Sequence, residues 1–199
     1  MEFVNQIVEI WVAGGWLMIP LAILAFLMYF AIFELWVYFN RNDYQRLDAN
    51  HWQHWIERPE DSKGPTGNII RYAQQGVMSE SEVRGRVAEI RSTHFTRIAA
   101  RIRYAAVLVG VAPLMGLLGT VVGMLATFSG LANSVGVQAV DVVAGGISEA
   151  LITTQTGLIL AIPGYVFLSS LRKREQAFDA FLMQVEILTL RHLKQEGRI

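Results

Sequence analysis

No cysteine occurs among the 199 residues, which excludes a disulfide framework, thiolate catalysis and any cysteine-ligated zinc or iron–sulfur centre. Charge is also scarce: 17% of residues are Asp, Glu, Lys or Arg, against about 25% in ordinary soluble domains. The 17 basic and 17 acidic residues cancel, so no net basic field exists to gather phosphates, and nucleic-acid binding is excluded as the main role. Basic residues are wholly missing from positions 1–40 and 104–171. What fills these gaps is apolar. Hydrophobic residues make up 53% of the chain before its 17 glycines are counted, which excludes a disordered chain and directs the reading towards lipid.

Three apolar runs are long enough to matter. Residues 16–39, WLMIPLAILAFLMYFAIFELWVYF, carry one charge, Glu34. At about 1.5 Å per helical residue they cross a hydrocarbon core of about 30 Å. The residues before them hold no Lys or Arg, so a transmembrane helix is preferred over a secretory signal. From Tyr104 to Val140 no residue is charged, a stretch too long for one crossing. SGLANSVGVQ at 129–138 supplies the turn, giving a second span at 104–129 and a third at 140–171. Eleven Lys and Arg fall between the first and second spans and six after the third, the complete set. The positive-inside rule then puts the N-terminus and the 130–139 hairpin in the periplasm, and the 40–103 insert and 172–199 tail in the cytoplasm. The fold expected is an all-α membrane protein of three transmembrane helices. A periplasmic amphipathic helix, residues 1–15 with Phe3, Ile7, Ile10 and Trp11 at helical spacing, precedes the spans.

Within the insert, residues 40–57 read as one helix, ended by the loop RPEDSKGPTG and followed by a short helix around 68–75. A third helix starts at Ser79, where Glu82 completes a capping box. Its apolar residues Val83, Val87, Ile90, Ile98 and Ile102 keep helical spacing up to Tyr104, predicting one helix running into the second span. Phe178, Phe181, Leu182, Val185 and Leu188 extend the third span in the same way. His51 and His54 have a spacing able to hold a metal, yet no third ligand is near, and polar flanks of Trp52 and Trp55 are the simpler reading. No phosphate loop and no nucleophile–base arrangement is present, so no enzyme, metal or cofactor is expected.

The polar residues inside the spans carry the functional signal. In the second span Gly116, Gly119 and Gly123 remove side-chain bulk and allow close helix approach, which predicts a homo-oligomer. Pro113 there and Pro163 in the third span each leave a carbonyl without its intrahelical donor and are expected to bend their helices. The third span gathers Glu149, Thr153, Thr154, Gln155 and Thr156 within eight residues. A carboxylate mid-membrane costs about 2.5–3.5 kcal/mol on insertion scales, so Glu149 is expected to face a bundle interior or aqueous cavity. On a helical wheel Glu149, Thr153 and Thr156 share a face, with Thr154 roughly 140° from Glu149.

Two motifs, APLMGLLGTVVGML (112–125) and GGISEALITTQTGLILAIP (145–163), closely resemble the ExbB/TolQ/MotA proton-channel family, particularly its three-span ExbB/TolQ branch. The four-span MotA stator, with a larger cytoplasmic part, fits less well. The resemblance implies a homopentamer in the bacterial inner membrane around the spans of an ExbD/TolR-like single-span dimer, with force passed to a periplasm-spanning TonB/TolA-like protein. It also implies that Thr120 and Thr154 are pore-lining threonines and Glu149 the pore glutamate, with Thr153 secondary. Moving one proton through 100 mV releases about 2.3 kcal/mol, so a few protons suffice to drive a conformational step. Gln155 and Thr156 stand where many relatives carry small residues. Leu35 follows Glu34 where relatives often have arginine, which argues against an acid–base pair at that boundary. A passive membrane scaffold without ion flux is the competing reading.

Overall fold

The computed structural model describes residues 2–41, 54–132 and 137–197. Helices α1 (Glu2–Ala13) and α2 (Met18–Arg41) come first. A 3-10 turn at Pro59–Asp61 leads to α3 (Gly64–Gln74), and two long helices follow, α4 (Glu80–Ala132) and α5 (Val137–Gln195). No strand occurs among the described residues. Segments of α2, α4 and α5 are long and apolar enough to cross a membrane. The expected helix over 40–57 falls largely outside the described residues, as does the centre of the expected hairpin.

Local sequence explains where these helices start and how far they run. At the start of α4 the Ser79 hydroxyl accepts the Glu82 N–H at 3.3 Å. The Glu82 carboxylate in turn accepts the Met78 N–H at 2.8 Å, so the capping box closes one residue further upstream than the motif strictly prescribes. From there α4 continues for 53 residues and α5 for 59, each through an internal proline. Helix α3 starts at Gly64, inside the segment read from sequence as loop. Pro65 explains the difference: in the first helical turn a missing N–H costs nothing, so the proline that looks like a breaker opens the helix instead.

The chain divides into two compact units, residues 1–32 with 104–168, and residues 33–103 with 169–199. Every Lys and Arg of the sequence falls in the second unit, and the first contains no Lys, Arg or His. The second unit has a core of the ordinary water-soluble kind. Val83, Val87, Ile90, Ile98 and Ile102 of α4 are buried, as are Phe178, Phe181, Leu182 and Val185 of α5. Each large side chain fully buried in this way contributes about 1.5–3 kcal/mol relative to exposure in water. Val77 and Val83 close on Leu193, with Leu190 packed beside them. Arg91 pairs with Asp179 at 2.6 Å, and Lys194 reaches Glu80 at 3.3 Å.

The expectation drawn from Leu35 is overturned here. Glu34 does have a basic partner, Arg101 of α4, at 2.6 Å. The arginine comes from 67 residues away on another helix rather than from the next position.

Candidate functional site

In the first unit, α4 and α5 approach through small residues. A Cβ placed on Gly116 would lie 3.1 Å from the Thr153 carbonyl oxygen and 3.1 Å from Thr154 Cα. One on Gly123 would lie 2.8 Å from the Gly146 carbonyl oxygen, and one on Gly119 would run into the Thr153 hydroxyl. From the other side, a Cβ on Gly157 would meet the Ala112 carbonyl at 2.7 Å, and one on Gly146 would strike Thr127 Oγ1. Lipid offers no hydrophobic gain for joining two apolar helices, so contact depends on van der Waals fit and hydrogen bonds, both of which need backbones this close. Gly146, Gly157 and Thr127 are missing from the sequence reading. The signal was present, since small residues at 146, 150, 153 and 157 recur every three or four positions along one face of α5.

The hydroxyls at this seam separate into distinct roles. Thr153 is fully buried, and its Oγ1 donates within α5 towards the carbonyls of Glu149 (3.1 Å) and Ala150 (3.0 Å). It fills the hollow left by Gly119. Thr154, partly exposed, reaches across the seam to the Gly116 carbonyl at 3.0 Å. Thr120, also partly exposed, donates to Leu117 on its own helix at 2.7 Å, and Thr156 to Ile152 at 2.8 Å. Tyr29 of α2 donates to the Leu160 carbonyl at 3.1 Å, next to the carbonyl of Ile159 that Pro163 deprives of its donor.

Glu149 lies elsewhere on the helix surface. Its carboxylate is half-buried against the corner between α1 and α2: a Cβ on Gly15 would run into Glu149 Oε1, and one on Gly14 would come within 3.1 Å of Ile152 Cγ2. Of the sequence-selected polar residues, Thr154 and Thr153 are therefore brought to the glycine seam. Glu149 is brought to the Gly14–Gly15 corner, and the Thr120 hydroxyl stays with its own helix. Apolar side chains of the same two helices, among them Leu117, Val121, Leu151 and Leu158, remain exposed on the single chain.

No group of three or more His, Asp or Glu gathers at metal-binding distance among the described residues, and His54 pairs with Asp61 at 3.7 Å. His51 lies outside those residues.

The model of the MotA/TolQ/ExbB proton channel family matches residues 62–182, which span α3, α4 and most of α5. The chain is similar to the biopolymer transport protein ExbB-like 1 of Helicobacter pylori, 40% identical over 79 residues, 39% of this chain and 41% of that protein. It is similar to the biopolymer transport protein exbB1 of Vibrio cholerae, 46% identical over 57 residues, 28% of this chain and 25% of that one. Against the biopolymer transport protein ExbB of Salmonella typhimurium the identity is 37% over 82 residues, 41% of this chain and 33% of that one. The aligned segments thus cover well under half of these relatives' lengths. The family match takes in more than half of this chain, including the glycine seam and Glu149, and the chain belongs to the MotA/TolQ/ExbB proton channel family.

Proposed function

We propose that this chain is an ExbB/TolQ-like stator subunit of the bacterial inner membrane. With an ExbD/TolR-like single-span partner it couples proton flow down the proton-motive force to mechanical work on a periplasm-spanning TonB/TolA-like protein, driving outer-membrane transport or envelope maintenance. The observation that carries this reading is the family match across residues 62–182, which contain the only polar stretch within an apolar span. In this reading the segregated basic residues hold 40–103 and the tail in the cytoplasm, with the N-terminus and the α4–α5 connection periplasmic.

The exposed apolar surfaces of α4 and α5 suit copies of the same chain packed into a ring, for which five is the expected number. Thr154 and Thr120, neither fully buried, belong to the pore lining. Thr153, sealed against Gly119, supports the lining without facing it. Glu149 is the one carboxylate well inside a span, and its unit holds no basic side chain to neutralise it.

The test is proton flux into vesicles reconstituted with the complex purified from native membranes, read with an internal pH-sensitive dye. Glu149→Ala and Thr154→Ala are expected to abolish partner-dependent flux. Wild-type flux in both variants sinks the site assignment. The scaffold reading prevails if neutralising the partner's membrane aspartate leaves the cellular function untouched.

A further inference from the structure

The corner between α1 and α2 holds two glycines in sequence, and only the second adopts a left-handed backbone, with φ of 69° at Gly15. The turn is closed by the Gly14 N–H donating to the Ile10 carbonyl at 2.9 Å and the Gly15 N–H donating to Val12 at 3.2 Å. The Gly15 carbonyl then accepts the Met18 N–H at 3.2 Å as α2 begins. The left-handed conformation alone favours glycine, since a Cβ there crowds the following carbonyl oxygen. A second, independent requirement comes from α5, because the space a Gly15 side chain would take is occupied by the Glu149 carboxylate. The carboxylate makes no hydrogen bond or ion pair among the described residues, and its unit contains no Lys, Arg or His. What locates Glu149 is therefore the shape of this corner rather than a charge.

We propose that Gly15 is a positioning residue for Glu149: the side-chain-free corner between α1 and α2 sets where the carboxylate stands, and so ties the surface helix α1 to the proton pathway. This rests on the reading of Glu149 as a proton-pathway residue. Three features make the corner suited to the task. Leu17, Met18 and Leu21, which follow it, are all buried, so the start of α2 is anchored. Gly14 packs against Ile152, one turn further along α5, which fixes the corner at a second point. Helix α1, in contrast, exposes Val8, Ile10, Trp11 and Val12 and has room to respond to what lies outside the membrane core. A shift of α1 is transmitted to the carboxylate through a single residue without a side chain.

Gly15→Ala tests the proposal in the reconstituted native complex, with proton flux followed against pH. A misplacement of about 1 Å at a working group costs up to about a hundredfold, so flux is expected to fall by at least tenfold. The midpoint of the flux–pH profile should move as well, which a purely structural loss of active complexes would leave in place. Glu149→Asp draws the carboxylate back by one methylene, and Gly15→Ala/Glu149→Asp should regain several-fold of the flux that Gly15→Ala loses. Wild-type flux and an unmoved pH midpoint in Gly15→Ala overturn the positioning role. Wild-type flux in Glu149→Ala instead overturns the reading of Glu149 itself, whatever Gly15 does. Should Gly15→Ala fail to assemble, Gly15→Ala/Glu149→Ala decides the matter: restored assembly assigns the defect to the carboxylate contact, and continued failure assigns it to the backbone and overturns the proposal.

Discussion

The hydroxyl of Thr154 donates across the helix seam to the Gly116 carbonyl, 3.0 Å away, and shares the same proton with the Ala150 carbonyl of its own helix at 3.1 Å. A threonine in a span ordinarily satisfies itself one turn back and says nothing about its neighbours. Here the absence of a side chain at Gly116 lets the hydroxyl reach a second helix. Replacing it with the isosteric valine removes one interhelical bond, worth about 0.6 kcal/mol and at most about 1.7 in a membrane. Thr154→Val is therefore expected to leave the detergent-solubilised protein with nearly unchanged thermal stability while partner-dependent proton flux falls. A large loss of stability would recast Thr154 as a packing residue.

Glycines of this chain divide by what a methyl group would meet. At Gly119 it strikes Thr153, whereas at Gly85, also helical, nothing lies within 4 Å. Overpacking a close seam costs about 1–3 kcal/mol, so Gly119→Ala should lower the melting temperature clearly. Gly85→Ala should raise stability by about 0.5–1 kcal/mol through lost backbone freedom in the unfolded chain. Thermal melts of both variants in one detergent check the contrast, and equal effects would refute the contact assignment.

The Glu34–Arg101 pair is short, 2.6 Å, but both side chains are about half exposed. Water and salt therefore screen it, and a double-mutant cycle with Glu34→Gln and Arg101→Gln should return a coupling of about 0.2–1 kcal/mol. The coupling should shrink further in about 1 M salt, where the Debye length is roughly 3 Å. A coupling that does not respond to salt would place the pair in a drier setting than its exposure implies.

Glu175 of α5 titrates above the ordinary carboxylate value of 4.5, chiefly because partial burial disfavours its charge. Asp179 adds to the shift, while Arg172 and Arg103 oppose it. A folded-state value above the unfolded one means that the protonated form is the better tolerated in the fold. Its contribution to stability is full below the unfolded value and is lost as pH rises through the folded one. Glu175→Gln should therefore stabilise the protein at neutral pH and flatten this part of its stability profile just above pH 4.5. Melting temperatures of both proteins across that window decide it, and parallel curves would rule the group out.

Some of this was legible along the chain because it depends on neighbours in sequence. Apolar runs of span length, the capping box at Ser79 and Glu82, and the stripe from Val83 to Ile102 are local patterns, set by helical periodicity and by the number of residues a bilayer requires. The segregation of every Lys and Arg is likewise a one-dimensional fact, and the two polar motifs carried the family. Pro65 shows where local reading falls short, since a proline looks the same whether it stops a helix or opens one. The partnerships between distant residues were decided only by the tertiary structure: Arg101 for Glu34, Gly116 for Thr154, Gly119 for Thr153, and Gly15 for Glu149. Each depends on how far one helix is slid and turned against another. That register is set jointly by small residues on both surfaces, and no periodicity within a single helix encodes it.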